Sequence, residues 1–358
     1  MKIGINMALG MLGGGAVIDP IAQNLPAAIA SFKAAAVGGV NRLLLYVIGA
    51  SIGVGYNATG VTDAGGANSW ASLLNTYLQG QYGSGSQLIL PNSAEFVETG
   101  TWVNSNNGNT FTGGWAAGTG RMSSVLNSTK SITKTCTRFD LYYFNHPAGA
   151  FKVSIDGGAE ITITTGAGAS ACQTFSGLSL AEHTLTIRVP ADGTYAWING
   201  VDCSIGSGIS IFNQSSGSSK IINHQTTGQP LSGLGAIPSD VKILFILSLT
   251  TNDYGGQTAI NTFTSQTTTL LDTLKARGDV ILISENWQTQ QLTIPQSSYD
   301  AVYAGLASGN VGCIQIFKKW GSAAEAISTG YVTETSGVHP NSTGHIDYKD
   351  VIIAKTGL

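Results

Sequence analysis

Charged side chains are scarce in this chain of 358 residues, since Asp, Glu, Lys and Arg make up only 10% of it. An average globular protein has about a quarter. The 17 Lys and Arg residues form no cluster or stripe, and the formal net charge is −3. Binding to a phosphate backbone requires clustered basic residues, so the sequence predicts no nucleic-acid partner.

Cysteines and long apolar runs are also few. The four cysteines show no C-x-x-C spacing, so we expect no metal site and no other cofactor. The apolar stretch 241–249 has the length of a buried strand, and we therefore predict no membrane span. Gly (47 residues) with many Ser, Thr and Asn residues takes the place of charge, which is typical of turn-rich extracellular or particle-surface proteins.

Two kinds of pattern alternate along the chain. Residues 42–48 form a continuous apolar run that ends at a glycine, as in a buried parallel strand. From about residue 209 onwards, similar short runs alternate with helical segments, which indicates a parallel sheet with helices on both faces. Between these regions, alternating segments such as 151–155 flank Asp-Gly turns, as in antiparallel hairpins.

These patterns predict three regions. An α/β domain comprises residues 41–95 and 207–358, and an inserted antiparallel β-sandwich at 96–206 interrupts it. The Gly- and Ala-rich residues 1–40 are interpreted as an N-terminal arm or attachment segment.

Polar segments stand at the carboxyl ends of the predicted strands, where open parallel sheets bind ligands. Ser51 follows the first strand, Gly217 and Asn252 follow two later strands, and His339 precedes the last predicted helix. A serine beside a histidine suits acyl transfer, with Ser51 as nucleophile and His339 as general base. The backbone N–H groups of Ser51 and Gly217, with the Asn252 amide, would then form an oxyanion hole.

These four segments, in this order, resemble the sequence blocks of the SGNH (GDSL-like) hydrolase family, which is named for Ser, Gly, Asn and His. Residues 49–56 resemble its first block, and His339-Pro340-Asn341 followed by Gly344-His345 resembles its last. The resemblance implies a flavodoxin-like three-layer fold and a serine esterase, lipase or deacetylase activity that needs no metal.

The chain departs from the family pattern where the resemblance implies a third catalytic residue. The family's acid lies three residues before the histidine, and Ser336 occupies that position. Since the acid fixes the imidazole tautomer and stabilises the imidazolium, its replacement predicts reduced activity. Ser336 and Glu334 are the candidate orienting groups. Trp287, which follows a predicted strand, is a candidate wall of the substrate pocket.

The predicted insert and the Gly-rich start resemble phage-borne members of the family that carry jelly-roll, carbohydrate-binding-like inserts. The first hypothesis is therefore a virion-surface or extracellular esterase. It would remove O-acetyl groups from a bacterial surface polysaccharide or another acylated carbohydrate, while the arm contacts other virion proteins. The alternative is a weakly active or inactive SGNH scaffold that serves as a virion adhesin or decoration protein, and Ser336 is its main support.

Overall fold

The computed structural model describes residues 21–39, 42–58, 68–89, 93–105, 120–147, 149–166, 170–225, 234–333 and 335–358. With strands numbered in chain order, six of them form the first sheet: β1 (Ala22–Gln23), β2 (Arg42–Gly49), β12 (Gly208–Asn213), β13 (Val241–Ser248), β14 (Gly278–Ser284) and β15 (Val311–Gln315). Across the sheet the order is β1-β15-β14-β13-β2-β12, and only the β1–β15 pair is antiparallel.

The helices with described ranges are α1 (Leu25–Ala28), α2 (Ala30–Gly38), α3 (Ser51–Val54), α4 (Trp70–Tyr82), α5 (Thr250–Gly255), α6 (Ile260–Lys275), α7 (Gln296–Leu306), α8 (Ile316–Trp320), α9 (Ala323–Ser328) and α10 (Ser342–Thr356). A short 3₁₀ helix spans Ile221–His224.

Strand β2 is buried along its whole length because helices cover both faces of the sheet. Alternate side chains of a strand point to opposite faces. Leu43 and Leu45 accordingly pack in one core with α1, α2, α4 and α10, whereas Leu44 and Tyr46 pack in a second core with α6 and α7. The predicted α/β architecture, with helices on both faces of a mainly parallel sheet, is confirmed.

Residues 21–39 belong to this α/β core, which corrects the prediction that the arm extends over residues 1–40. Strand β1 pairs with β15, and Leu25 and Phe32 are only 2% and 1% exposed. Leu25, Ile29 and Phe32 recur at helical spacing, so they form an apolar stripe that packs on the sheet. Residues 1–20 of the predicted arm lie outside the described residues.

Nine strands form a separate antiparallel sheet: β3 (Ser86–Ile89), β4 (Val97–Thr99), β5 (Val103–Ser105), β6 (Gly120–Ser123), β7 (Thr129–Phe144), β8 (Ala150–Ile155), β9 (Ile161–Thr164), β10 (Ser170–Arg188) and β11 (Ala196–Ser204). The order is β5-β6-β11-β7-β10-β8-β9, while β3 pairs with β11 and β4 with β7. Because β3 already belongs to this sheet, the chain enters it at Ser86, ahead of the boundary predicted at residue 96.

The two longest strands of this sheet, β7 and β10, pair with each other along most of their length. The pairing of β7 with β10 changes register between Ser176 and Ala181. Ile132 on one side of this break and Phe139 on the other belong to the same hydrophobic core. Hydrogen bonds therefore join the nine described strands into one sheet, and its buried apolar side chains form a single core. The two-layer sandwich stays a prediction.

A buried arginine joins the two sheets. Arg42, at the start of β2, forms ion pairs of 2.6 Å with Asp140 on β7 and 2.7 Å with Asp202 on β11. Both carboxylates and the guanidinium are almost fully buried, and removing one partner of such a group leaves an uncompensated charge. This cluster therefore ties the antiparallel sheet to the amino end of the parallel strand β2.

Candidate active site

Ser51 lies directly beyond the carboxyl end of β2, where the chain turns into α3. Two glycines allow a second loop, residues 213–219, to approach this turn closely. A Cβ atom on Gly53 would lie 2.3 Å from Ser215 Oγ, and one on Gly49 would lie 2.8 Å from the same atom. The Ser216 N–H donates to the Gly49 carbonyl at 2.9 Å. The loops that follow two neighbouring strands are therefore packed against each other.

Ser51 and His339 are brought into direct contact. Ser51 Oγ and His339 Nε2 lie 2.9 Å apart, within hydrogen-bond distance, and both side chains are half-buried. The ring of Tyr56 packs on the His339 imidazole, with ring centroids 4.8 Å apart and an interplanar angle of 50°. Tyr56 is itself 50% exposed, so it forms the solvent side of this contact.

Ser219 connects three of the segments that the sequence singled out. Its carbonyl accepts a hydrogen bond from Asn252 Nδ2 at 3.0 Å. Its hydroxyl lies 2.6 Å from the Ser216 carbonyl and 3.1 Å from that of Gly49. His224 Nε2 lies 2.9 Å from the same hydroxyl. Burial lowers the pKa of His224 to about 4, so its imidazole is neutral at neutral pH. Because the Ser219 hydroxyl faces two carbonyl acceptors, an Nε2–H donor on His224 suits this contact.

Gly217 lies half-buried in the turn between these contacts. The residue of this turn with a left-handed backbone is Ser218, with φ of 59°, and not the glycine. A left-handed backbone therefore does not explain the glycine at 217. The role of its N–H as an oxyanion donor stays a prediction.

Asn252 lies on α5, whose first turn rests on a buried carboxyl group. Glu285 Oε2 accepts a hydrogen bond from the Thr251 N–H at 2.8 Å, and Ser248 Oγ donates to Glu285 Oε1 at 2.6 Å. Burial raises the pKa of Glu285, which is fully enclosed. The sequence did not reveal that Glu285 supports Thr251, the neighbour of Asn252. The contact forms only because the adjacent strands β13 and β14 end side by side at the same edge of the sheet.

The position of the missing acid is exposed. Ser336 Oγ accepts a hydrogen bond from the Val338 N–H at 3.4 Å, and its carbonyl accepts one from the Thr289 N–H at 2.9 Å. Glu334, the other predicted orienting group, lies outside the described residues. The roles of Ser336 and Glu334 as orienting groups for His339 therefore stay predictions.

Trp287 forms part of a cavity at the same edge of the sheet. Its indole stacks on Phe317, with centroids 4.8 Å apart, and its Nε1 donates to Asp300 Oδ2 at 2.8 Å. Burial raises the pKa of Asp300 to about 7. The described residues that line this cavity of about 110 Å³ carry no charge: Tyr254, Trp287, Gln288, Gln290, Gln291, Leu292, Pro295, Gln296 and Ser297. Gln288 Nε2 donates to the Thr251 carbonyl at 3.1 Å, which places the cavity beside Asn252.

His345 supports the site from the protein interior, through hydrogen bonds to the backbone of Trp70 and Tyr56. It is fully buried, its Nδ1 accepts from the Trp70 N–H at 3.4 Å, and its Nε2 donates to the Tyr56 carbonyl at 3.1 Å. Burial lowers its pKa to about 4, so the ring is neutral at physiological pH. His345 thus holds in place the residue that packs on His339, a role that the sequence did not reveal.

Within the described ranges, no group of three or more His, Cys, Asp or Glu side chains is arranged to hold a metal ion. All four cysteines are free thiols. No helix in the described part of the chain is both long and apolar enough to cross a membrane.

Comparisons with known proteins find likeness in structure alone. No family model matches the chain, and no curated protein matches it in sequence. A solved structure of a peptidoglycan O-acetylesterase matches with a TM-score of 0.55 and 14% identity, over 91% of this chain and 93% of that one. This likeness extends over most of the chain and shows a shared fold.

Two further solved structures are more distant. A salicylyl-acyltransferase from a tetracycline biosynthetic pathway has a TM-score of 0.35 and 11% identity, over 76% of this chain and 97% of its own. A family two carbohydrate esterase from Cellvibrio japonicus has a TM-score of 0.31 and 12% identity, over 76% and 98%. TM-scores this low support no conclusion, so the fold of this chain is assigned from its likeness to the peptidoglycan O-acetylesterase alone.

Proposed function

We propose that this protein is a serine esterase that removes O-acetyl groups from a polysaccharide, with Ser51 as nucleophile and His339 as general base. The observation that carries the proposal is the 2.9 Å contact between Ser51 Oγ and His339 Nε2. A nucleophile and base at this distance, at the edge of a parallel sheet where ligands bind, have the geometry of nucleophilic acyl transfer.

In the first half of the reaction, Ser51 Oγ attacks the carbonyl carbon of the acetyl ester while its proton passes to His339 Nε2. The tetrahedral intermediate then collapses, the bond to the sugar oxygen breaks, and His339 returns the proton to that oxygen. The products of this half-reaction are the free sugar hydroxyl and an acetyl group on Ser51.

The negative oxygen of the intermediate would be bound by the N–H groups of Ser51 and Gly217 and by the Asn252 amide. Asn252 Nδ2 carries two hydrogens, and its bond to the Ser219 carbonyl uses one of them. That bond holds the amide in one orientation, so the second hydrogen is available to the oxyanion. A preorganised donor of this kind contributes about 10²–10³ in rate.

In the second half, His339 takes a proton from a water molecule, which attacks the acetyl carbonyl on Ser51. Collapse of the second tetrahedral intermediate releases acetate, and the proton returns from His339 to Ser51 Oγ. No step requires a metal ion or another cofactor.

A carbohydrate substrate is supported by two observations. The chain shares its fold with a peptidoglycan O-acetylesterase, and the cavity beside Asn252 is lined by aromatic and amide side chains without charge. Such groups pack on and hydrogen-bond to neutral polyols. The low charge of the chain also supports the proposed extracellular or virion-surface location. Contact of the N-terminal residues with virion proteins remains part of the proposal.

A second candidate function is a weakly active or inactive scaffold that acts as an adhesin or decoration protein. The observation in its favour is the hydroxyl of Ser336, which stands where the resemblance implies an acid and accepts a hydrogen bond from the Val338 backbone. An imidazole without a charged partner is a weaker base, and a loss of turnover would leave only the binding surface.

Hydrolysis of p-nitrophenyl acetate and release of acetate from an acetylated polysaccharide test the proposal. We expect Ser51→Ala and His339→Ala to lower kcat by about 10³-fold or more. Ser265→Ala, which removes an exposed hydroxyl on α6, is the matched control and keeps the wild-type rate. Equal rates in wild type and Ser51→Ala would contradict the assignment. A wild-type protein that binds the polysaccharide without releasing acetate would favour the second candidate.

A further inference from the structure

The loop that carries His339 is held by one buried asparagine. Asn286 Nδ2 donates hydrogen bonds to the Gly337 carbonyl at 2.6 Å and to the Val338 carbonyl at 3.2 Å. These are the two residues directly before His339. Asn286 follows Glu285 at the carboxyl end of β14 and is only 1% exposed.

Tyr348 fixes the orientation of this asparagine. Its hydroxyl donates to Asn286 Oδ1 at 2.9 Å and accepts from the Asn286 N–H at 3.1 Å. The Asn286 carbonyl accepts from Gln296 Nε2 at 3.1 Å, so every polar group of this residue is bonded. Because Nδ2 faces two carbonyls and Oδ1 faces a hydroxyl, the amide has a single favourable orientation.

The helix that supplies Tyr348, α10, has its N-cap two residues after His339. Asn341 is the N-cap of α10, where its Oδ1 accepts from the Gly344 N–H at 3.0 Å and its Nδ2 donates to the Gly330 carbonyl at 2.9 Å. His339 is therefore bracketed by the Asn286 contacts on one side and by a capped helix start on the other. Tyr348 links the two, because its hydroxyl reaches back from α10 to Asn286.

We infer that Asn286 and Tyr348 are positioning residues, which hold the Gly337–Val338 backbone so that His339 Nε2 stays within reach of Ser51 Oγ. The inference rests on the proposed function of His339 as a base. A displacement of about 1 Å between reacting groups can cost about 10²-fold in rate, and the two carbonyls that lose their donor are free to move. Neither residue touches the reacting atoms.

The first test separates kcat from KM. We expect Asn286→Ala and Tyr348→Phe to lower kcat for p-nitrophenyl acetate by about 10–100-fold, with KM within about twofold of wild type. The matched controls are Asn310→Ala and Tyr46→Phe. Asn310 Nδ2 also bonds two backbone carbonyls, those of Lys275 and Gly278, but at the opposite end of the sheet. Tyr46 is as buried as Tyr348 and packs on the other face of the sheet. Both controls should keep the wild-type kcat per folded protein.

The second test does not depend on activity. The imidazole ¹⁵N signals of His339, followed by NMR over a pH titration, should shift or broaden in Asn286→Ala and Tyr348→Phe and stay unchanged in both controls. A fall in kcat with unchanged His339 signals would overturn the inference, since the loss would then be a general structural effect. Unchanged kcat in both variants would overturn it as well.

The results of these tests distinguish a failure of the positioning role from a failure of the esterase assignment. If Ser51→Ala is inactive and Asn286→Ala is fully active, the esterase assignment stands and the positioning role falls. If Ser51→Ala retains the wild-type rate, the esterase assignment falls. The His339 signals then decide alone whether Asn286 and Tyr348 position the imidazole.

Discussion

Ser51 Oγ lies 2.9 Å from His339 Nε2, although 288 positions separate the two residues in the chain. The contact joins the turn after strand β2 to the loop before α10. Such a contact between a nucleophile and a base requires the whole α/β fold to be assembled, because neither segment reaches the other locally.

Replacing Ser336 with aspartate should raise activity. Ser336 lies three residues before His339, where the resemblance to the SGNH family implies an acid, and it is exposed, so a carboxylate there stays solvated. We expect Ser336→Asp to raise kcat by about tenfold, because the added charge stabilises the protonated imidazole. Steady-state hydrolysis of p-nitrophenyl acetate measures the effect. Ser265→Asp adds the same charge on α6 and should have no effect. A rate that is unchanged or lower would show that another group already orients His339.

Asn252→Ala should reduce kcat by about 10²–10³-fold with a small change in KM, because the amide acts on charge that develops only in the transition state. The same change also removes the hydrogen bond to the Ser219 carbonyl, so thermal unfolding must be measured beside kinetics. The oxyanion assignment fails if the variant keeps more than about a tenth of the wild-type kcat.

The ring of Tyr56 should assist His339 through packing alone. It lies 4.8 Å from the imidazole, and its backbone carbonyl is bonded to His345. Aromatic contacts contribute about 0.5–1.5 kcal/mol, so Tyr56→Ala should lower kcat/KM by about 2–10-fold. Tyr56→Phe keeps the ring and should behave as wild type. If Phe and Ala are equally impaired, the hydroxyl acts instead of the ring.

Asp300 should make stability depend on pH. Burial raises its pKa to about 7, so the native state binds a proton that the unfolded state releases between about pH 4 and 7. Stability from this group is therefore present at low pH and is lost as pH rises towards 7. Asn accepts the Trp287 hydrogen bond without ionising. Relative to wild type, Asp300→Asn should gain about 2–3 kcal/mol of unfolding free energy between pH 5 and pH 8, by urea titration. A constant difference between the two pH values would contradict the raised pKa.

The sequence predicted the parts of the site that follow from local rules. Continuous apolar runs such as 42–48 mark buried strands, and the carboxyl ends of parallel strands meet at one edge. Ser51 and Asn252 were located in this way, and the structure places them at that edge of the sheet. The antiparallel region was also recognisable, because alternation and Asp-Gly turns are local features.

The remaining features depend on contacts between distant segments. Asn286 stands in no recognisable motif. Tyr56 and His345 lie in the first and last of the family-like blocks, but nothing in those blocks gives either residue a role. The importance of all three appears only when the fold brings them to the loop of His339. Strand β3 was not assigned to the antiparallel sheet, because its partner β11 lies far later in the chain. The role of residues 21–39 was missed because only a few large apolar side chains, among them Leu25, Ile29 and Phe32, stand in this Ala-rich stretch.

Detection of the covalent intermediate tests the central claim most directly. Wild-type protein is mixed with p-nitrophenyl acetate, quenched in acid within the first turnover, and analysed by intact-protein and peptide mass spectrometry. The proposed mechanism predicts a mass increase of one acetyl group, located on Ser51, that decays with the hydrolysis rate and persists longer in His339→Ala when that variant is acetylated. Acetylation at another residue, or an equal adduct on Ser51→Ala, would contradict the assignment of Ser51 as the nucleophile.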